Sequence, residues 1–472
     1  MNVKLLTSLI SVFLLCPLIY LLYSVIGLSL DTFVYLWNNL LLGYSLNTLY
    51  LLLLTVFFSL ILGIIPAWFV STTNFKGKSF FDIILFLPLA IPSYIIAFTY
   101  SDLLSYTGPI QSIVRNNYPD LYKYVNHDYL QIEILAFLMA LVLYPYLYTA
   151  CRISFSLLGS NYINISKNLG MSQFQTFFKI ILPISRVSIF SGLFLIIMEV
   201  LNEYGAVKYF GVNTFTSGIF RSWYSMEDIN TASILAVCLL IIVSIFFLLE
   251  RYSTSKYRYN YKPNDKVSGN YSTNKFSRIV IYLICLFPFI LGFFIPVIYI
   301  INNVFKTINV IDFSELLNLS LNSFFLASVS SLIIVAIAIL FQYIKKISKS
   351  KTVFYLSEIV SLTYALPGAV IALSLIILLA FLTKLIGVSI AFGSVVILVY
   401  AYVMRYMAVG ISPLRSSFDK HPETFDDTAK NLGMTNFKLF KKIHPKMWPT
   451  CGAPSRNPDT FRWFPRVLSY HD

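Results

Sequence analysis

Two stretches of this 472-residue chain hold residues whose types and spacing suit work at a surface or along a path, and neither suits catalysis. In the first, Phe174, Phe177, Phe178 and Ile181 fall at i, i+3, i+4 and i+7. That is the spacing of one apolar face on a short helix. Gly170 stands just ahead, where a turn between two short helices needs a residue without a Cβ. Pro183 stops or kinks the segment behind it. Lys167, Lys179 and Arg186 flank the face. Such a face must be buried, either in lipid headgroups or in a groove on a partner protein. In the second stretch, Glu199 and Glu203 lie four residues apart in an apolar run. Carboxylates there are candidates for lining a path or for hydrogen bonding inside a bundle. Glu203 falls near the end of the run, ahead of Gly205 and Lys208, and is expected to be solvated. Elsewhere the versatile residues are dispersed. The four histidines are scattered, and Cys16, Cys151, Cys238, Cys285 and Cys451 include no CxxC pair. The cysteines read as reduced packing residues, with no metal or cofactor expected. No GxxxxGK[ST] loop, HExxH or GxSxG is present, so the chain is not expected to be an enzyme.

The elements that must position these residues are membrane spans. The chain is 57% hydrophobic and 12% charged, against about 25% charged in a soluble domain. Apolar runs long enough to cross a bilayer as helices fall at 5–28, 45–70, 80–104, 131–150, 187–204, 231–250, 279–301, 320–344, 353–381 and 388–411. The fold class expected is an all-α, polytopic transmembrane helix bundle embedded in lipid. Pro92 and Pro367, with Pro17, Pro66, Pro88, Pro145, Pro288 and Pro296, are expected to kink their spans, which a packed bundle tolerates, and Pro92 and Pro367 join Glu199 and Glu203 as candidates for the translocation path. The net charge of +14 does not imply nucleic acid, because the basic residues lie between the apolar runs. With the N-terminus in the cytoplasm, the cytoplasmic segments hold 25 Lys and Arg and the external loops hold six. The positive-inside rule therefore predicts that orientation, in the cell inner membrane. Asp102, Glu133 and Glu358 stand at span ends and are expected to be solvated. Tyr144, Tyr146 and Tyr148 resemble an interfacial belt.

The chain repeats itself. LSLNTLYLLLL echoes LSLNSFFLASV, pairing Asn47 with Asn322 at an offset of 275, and AIPS echoes ALPG, pairing Pro92 with Pro367 at the same offset. Residues 152–180 match 415–443 at an offset of 263, with 12 of 29 positions identical, including KNLGM in both. Gly433, Phe437 and Phe440 are then the counterparts of Gly170, Phe174 and Phe177. Both copies keep one orientation, so the duplication is parallel. The expected organisation is a first lobe of six spans over 1–250, a basic cytoplasmic linker over 251–278 and an incomplete second lobe of four spans over 279–445. The cytoplasmic loops at 152–186 and 415–445 carry the repeated segment. Two equivalent amphipathic helices suit a two-fold symmetric partner.

The repeated segment resembles the coupling-loop motif of bacterial ABC importer permeases, EAA-xxx-G followed by I-x-LP. Gly170, Ile180, Leu182 and Pro183 match it in register, and Gly433 and Ile443 match in the second copy. Asn164, Ile165 and Ser166 stand where the motif has EAA, as do Asp427, Thr428 and Ala429, and the second copy closes one residue short at His444–Pro445. LPLAIPSY at 87–94 and the stretch at 201–224 are most similar to the two-lobed ferric-iron permease family, on a scaffold shared with thiamine, sulfate and polyamine permeases. The resemblance covers 1–445. It implies an ATP-binding subunit dimer docked beneath the two coupling helices, an external solute-binding protein, and a path for ferric iron. An ion-gradient-driven secondary transporter is the alternative, and it needs no apolar coupling helices. The polar tail at 446–472 holds four prolines and no apolar run. It is expected to be disordered, and it reads either as a frame change near 444–450 or as a natural polar tail.

Overall fold

The computed structural model describes residues 3–27, 30–120, 122, 126–256, 271–272, 274–348, 350–361, 363, 366–387, 394–420 and 431. These are nearly all helical, because backbone in hydrocarbon must satisfy its donors and acceptors within its own segment. In chain order the helices are α1 (Val3–Ile26), α2 (Phe33–Thr72), α3 (Lys78–Ile84), α4 (Ser93–Leu104), α5 (Pro109–Asn117), α6 (Ile132–Asn168), α7 (Gln173–Ile184) and α8 (Arg186–Asn202). There follow α9 (Gly205–Tyr209), α10 (Phe215–Phe220), α11 (Ile229–Lys256), α12 (Lys275–Thr307), α13 (Phe313–Ser348), α14 (Lys351–Ser361), α15 (Gly368–Ile386) and α16 (Val395–Lys420). Among the described residues, eight helices are long and apolar enough to span a membrane, or ten if two bent pairs each count as one span. The chain is a multi-pass membrane protein.

Two expected spans are broken, and a third is preceded by a bent helix. The run 80–104 divides into Lys78–Ala90 and a helix from Ser93, bent by 86°. Pro92 stands at the N-cap of α4 with φ −59° and ψ 144°, and Pro367 heads α15 with φ −58° and ψ 138°. Proline lacks the N–H a continuing helix would use, and it pushes the residue before it out of the helical region. The run 353–381 is accordingly two helices, α14 and α15. The fifth span, read as starting at 187, is preceded by α7 at an angle of 71°. By contrast Pro17, Pro66 and Pro145 sit inside unbroken helices. Helix α11 runs on to Lys256, so the linker expected from 251 begins within it. Residues 257–270, 273 and 432–472, the tail included, lie outside the described residues.

The contacts form two compact units, one holding residues 1–17, 318–364 and 391–472, the other 18–317 and 365–390. In the larger unit, α2 packs along α6 through Phe58 against Phe137 (5.3 Å between ring centroids) and Trp68 against Phe155 (6.1 Å). Leu135, Met139 and Val142 bury the middle of α6. Tyr144 and Tyr148 are buried rather than interfacial. Their hydroxyls donate to the Leu85 carbonyl at 2.8 Å and to Asp82 at 2.9 Å. A phenol inside a dry bundle needs an acceptor, and α3 with the turn after it supplies one. Helix α12, which opens the second repeat, packs here as well. Tyr282 stacks on Phe81 at 5.2 Å, and the Tyr100 hydroxyl donates to Leu291 at 2.8 Å.

In the smaller unit, Leu14 of α1 packs with Ile334, Ala338 and Phe341 of α13, Val360 of α14, and Val403, Met407 and Ile411 of α16. The Tyr400 hydroxyl donates to Phe13, and Thr363 donates to Met404 at 2.6 Å. The first helix of each repeat thus joins helices of the other, so the units divide the chain differently from the repeats. Glu358, expected to be solvated, is instead paired with Arg415 and its side chain is 16% exposed. Asn47 donates to the Asn213 carbonyl at 3.1 Å, and Thr48 accepts from the Phe215 N–H at 3.3 Å. Their counterparts Asn322 and Ser323 are exposed on α13.

Candidate functional site

The repeated segment folds as a helical hairpin at the end of α6. Leu169 N–H donates to Ile165 O at 3.0 Å and Met171 N–H to Ser166 O at 2.9 Å, closing the helix. Gly170 turns the chain with φ +70°. A Cβ there would meet nothing within 4 Å, so the glycine is needed for backbone conformation alone. Gly170→Ala is expected to cost about 1–2 kcal/mol in the hairpin. Amide exchange over 169–176 checks this, and unchanged protection would refute it. Ser172 then caps α7. Its hydroxyl accepts from Gln175 N–H at 3.3 Å, and its own N–H donates to Gln175 Oε1 at 3.0 Å, a reciprocal capping box. Thr176 Oγ1 donates to Ser166 Oγ at 3.0 Å, and both residues are fully buried. This bond ties the two limbs together. Ser166 stands at one of the positions that depart from EAA, and the departure is met by its own partner.

The four apolar residues of α7 do not share one face. Phe177 turns into the bundle, with ring centroids 5.0 Å from Trp68 and 6.2 Å from Phe155, and Ile181 is buried. A wider turn over Phe177–Ile181 shifts the later residues around the helix. Phe174 is 78% exposed and Phe178 59%. Leu169 and Ile165, across the turn, are exposed as well. The hairpin therefore presents an apolar tip of Ile165, Leu169, Phe174 and Phe178, held from behind by Phe177 and Ile181. Leu169 was legible in the repeated KNLGM run, although a helix period starting after Gly170 passes over it. Pro183 lies exposed just ahead of the bend at Ser185. There Ser154 of α6 donates to Ser185 Oγ at 3.1 Å. Gly433, Phe437 and Phe440 lie outside the described residues.

Two of the path candidates converge. The Glu203 carboxylate accepts the Ala206 N–H at 2.9 Å and also meets the Gly205 N–H and the Ser93 hydroxyl, directly after Pro92. Glu203 is thus a half-buried clasp between the starts of α4 and α9, not a solvated end. Thr216 donates to the Glu203 carbonyl at 2.6 Å, adding α10 to the knot. Gly205 allows this approach, because a Cβ there would sit 2.6 Å from Tyr94 Cβ. Glu199 is half-buried on α8, and Pro367 heads α15, which packs on α10 and α11.

Residues 59–259, which include the hairpin and the clasp, match the family described as binding-protein-dependent transport system inner membrane component. The chain is 24% identical over 408 residues to the Fe(3+)-transport system permease protein FbpB 2 of Haemophilus influenzae, covering 84% of this chain and 74% of that protein. It is 25% identical over 157 residues to the sulfate transport system permease protein CysT of Salmonella typhimurium, covering 33% of this chain and 54% of the relative. It is 28% identical over 160 residues to the molybdenum transport system permease protein ModB of Haemophilus influenzae, covering 34% and 67%.

Proposed function

We propose that this chain, whose residues 59–259 belong to the binding-protein-dependent transport system inner membrane components, is the permease subunit of an ATP-driven importer. The observation that carries the reading is the apolar tip at Ile165, Leu169, Phe174 and Phe178, solvent-exposed on a capped hairpin. Large exposed apolar residues on a rigid, polar-flanked hairpin suit insertion into a groove on a soluble partner. The partner is a dimer of ATP-binding subunits, and the sequence duplication at 415–443 supplies its second docking point. ATP hydrolysis belongs to that partner. An external binding protein delivers the substrate at the opposite face.

The substrate proposed is ferric iron, because the likeness to an Fe(3+) permease spans 84% of the chain whereas the likeness to the sulfate permease spans 33%. Reconstituted with its ATP-binding and external subunits, the chain is expected to drive uptake of radiolabelled ferric ion. Uptake of sulfate or molybdate instead would transfer the reading to an oxyanion. The orientation proposed puts the hairpin and the N-terminus in the cytoplasm, following the 25 to 6 distribution of Lys and Arg. Gln173→Cys, exposed beside the cap, is expected to react with an impermeant thiol reagent only after the cells are opened. Labelling in intact cells would reverse the topology.

A further inference from the structure

Asp82 and Arg152 form an ion pair between α3 and α6, and the Tyr148 hydroxyl donates to the same carboxylate at 2.9 Å. Lys78, one turn earlier on α3, donates to the Ser71 and Thr73 carbonyls at 3.4 and 3.3 Å. In the other unit, Arg415 on α16 pairs with Glu358 on α14, and its guanidinium lies 5.6 Å from the centre of the Phe354 ring. Arg415 is Arg152 advanced by the repeat offset of 263. Glu358 follows Asp82 by 276, one residue beyond the 275 that relates Pro92 to Pro367. The same pairing is therefore reached twice, with a different acid and a one-residue step. Both acids are shielded, with side chains 25% and 16% exposed. Shielding raises the worth of a pair above that of a surface one.

Each pair joins the same two kinds of element. The acid lies on the short helix just ahead of a proline that starts a new helix, α3 before Pro92 and α14 before Pro367. The arginine lies on the long helix that leads toward the coupling segment. In the first copy α6 runs unbroken from Arg152 to Asn168, about 24 Å at 1.5 Å per residue. Such a helix moves as a rod, so a displacement of the hairpin reaches Arg152. The ion pair then hands it to α3 and to the proline elbow, beyond which Ser93 meets Glu203.

We infer that Asp82–Arg152 is a transmission clamp, a pair of positioning residues that couples the docking hairpin to the proline elbow at Pro92, and that Glu358–Arg415 repeats the pairing in the second copy. The inference rests on the permease reading. The test uses the full chain in nanodiscs, alone and assembled with its ATP-binding and external subunits. Asp82→Asn and Arg152→Gln are expected to raise amide exchange over 85–92 about tenfold. In the assembled complex they are expected to lower ferric-ion uptake per ATP hydrolysed about tenfold, with hydrolysis itself within about twofold of wild type. The swapped pair Asp82→Arg with Arg152→Asp is expected to restore both. Asp82→Glu, which keeps the charge and copies the acid of the second repeat, is expected to behave as wild type and keeps the test open should the neutral variants fold poorly. Single variants with wild-type exchange and wild-type uptake per ATP would overturn the clamp. So would equal losses of assembly, hydrolysis and uptake that the swap does not repair. If the wild-type complex hydrolyses ATP without moving ferric ion, the iron reading fails, and the exchange readout, which needs no substrate, decides the clamp.

Discussion

With aspartate at both Phe174 and Phe178, the chain is expected to insert and fold but to lose the ATP-binding subunit proposed as its partner on purification. Both rings are largely exposed, and the ring contact their replacement removes within the chain is that of Phe178 with Phe177, 4.9 Å between centroids. Burying one phenylalanine in a partner groove contributes about 1.5–3 kcal/mol. An unpaired carboxylate forced into the same groove costs several kcal/mol more. Two such changes amount to at least about a thousandfold in affinity. The duplicated segment does not rescue binding, because two linked contacts owe their strength to being made together. Phe177→Ala is expected to do the reverse. Its ring packs on Trp68, Phe155 and Phe178, so truncation destabilises the hairpin by about 3 kcal/mol while leaving Ile165, Leu169 and Phe174 in place. Pull-down of the ATP-binding subunit, paired with thermal unfolding of the permease, separates the two. Wild-type recovery of the subunit by the double aspartate variant would remove the hairpin tip as the docking site.

That contrast marks where the sequence stops being legible. A period of 3.6 places Phe174, Phe177, Phe178 and Ile181 on one stripe, and this presumes an ideal helix. The wider turn at Phe177–Ile181 breaks the presumption. Nothing local in FFKII signals it, because the turn answers to the Trp68 and Phe155 rings on distant helices. The glycine turn was legible, since Gly170 sits where a helix ends and its φ is positive. The capping box at Ser172 and Gln175 could have been read as S-x-x-Q ahead of an apolar run.

Prolines show the same division. Pro66 and Pro145 stay inside α2 and α6, whereas Pro92 and Pro367 begin new helices. All four occur in apolar runs of similar character. Whether a run kinks or breaks depends on what satisfies the freed carbonyls, and neighbouring helices decide that. The all-α polytopic class needed only run length and the duplication only self-comparison, whereas the span number read as ten stands, among the described residues, at eight, or ten if two bent pairs each count. The exchange of first helices was not. Leu14 packs with Phe341 and Met407, and no pattern within 3–26 names a partner more than 300 residues away. Asp82–Arg152 had a partial signal, since Arg152 opens the repeated stretch, but its acid falls one residue off the repeat and escapes a strict offset search.

The elbow at Glu203 yields the second large effect. Its carboxylate is turned inward onto the Gly205 and Ala206 N–H groups and the Ser93 hydroxyl. The carboxylate therefore ties α9 to α4, and its charge is expected to be dispensable for uptake. Glu203→Leu leaves those donors without their acceptor, at about 1–3 kcal/mol. Glu203→Gln keeps an acceptor oxygen at the same place. Gly205→Val drives a side chain into Tyr94 at the Cβ, a stem that rotation cannot move away, and forces the two helices apart at about 1–3 kcal/mol. Ferric-ion uptake by the reconstituted complex is expected to fall at least about tenfold for Glu203→Leu and for Gly205→Val. For Glu203→Gln it is expected to stay within about threefold of wild type. All three should still retain the ATP-binding subunit, because the hairpin tip lies on other elements, α6 and α7. If Glu203→Gln loses as much uptake as Glu203→Leu, the charge itself is required, and Glu203 belongs to the ion's path rather than to the clasp.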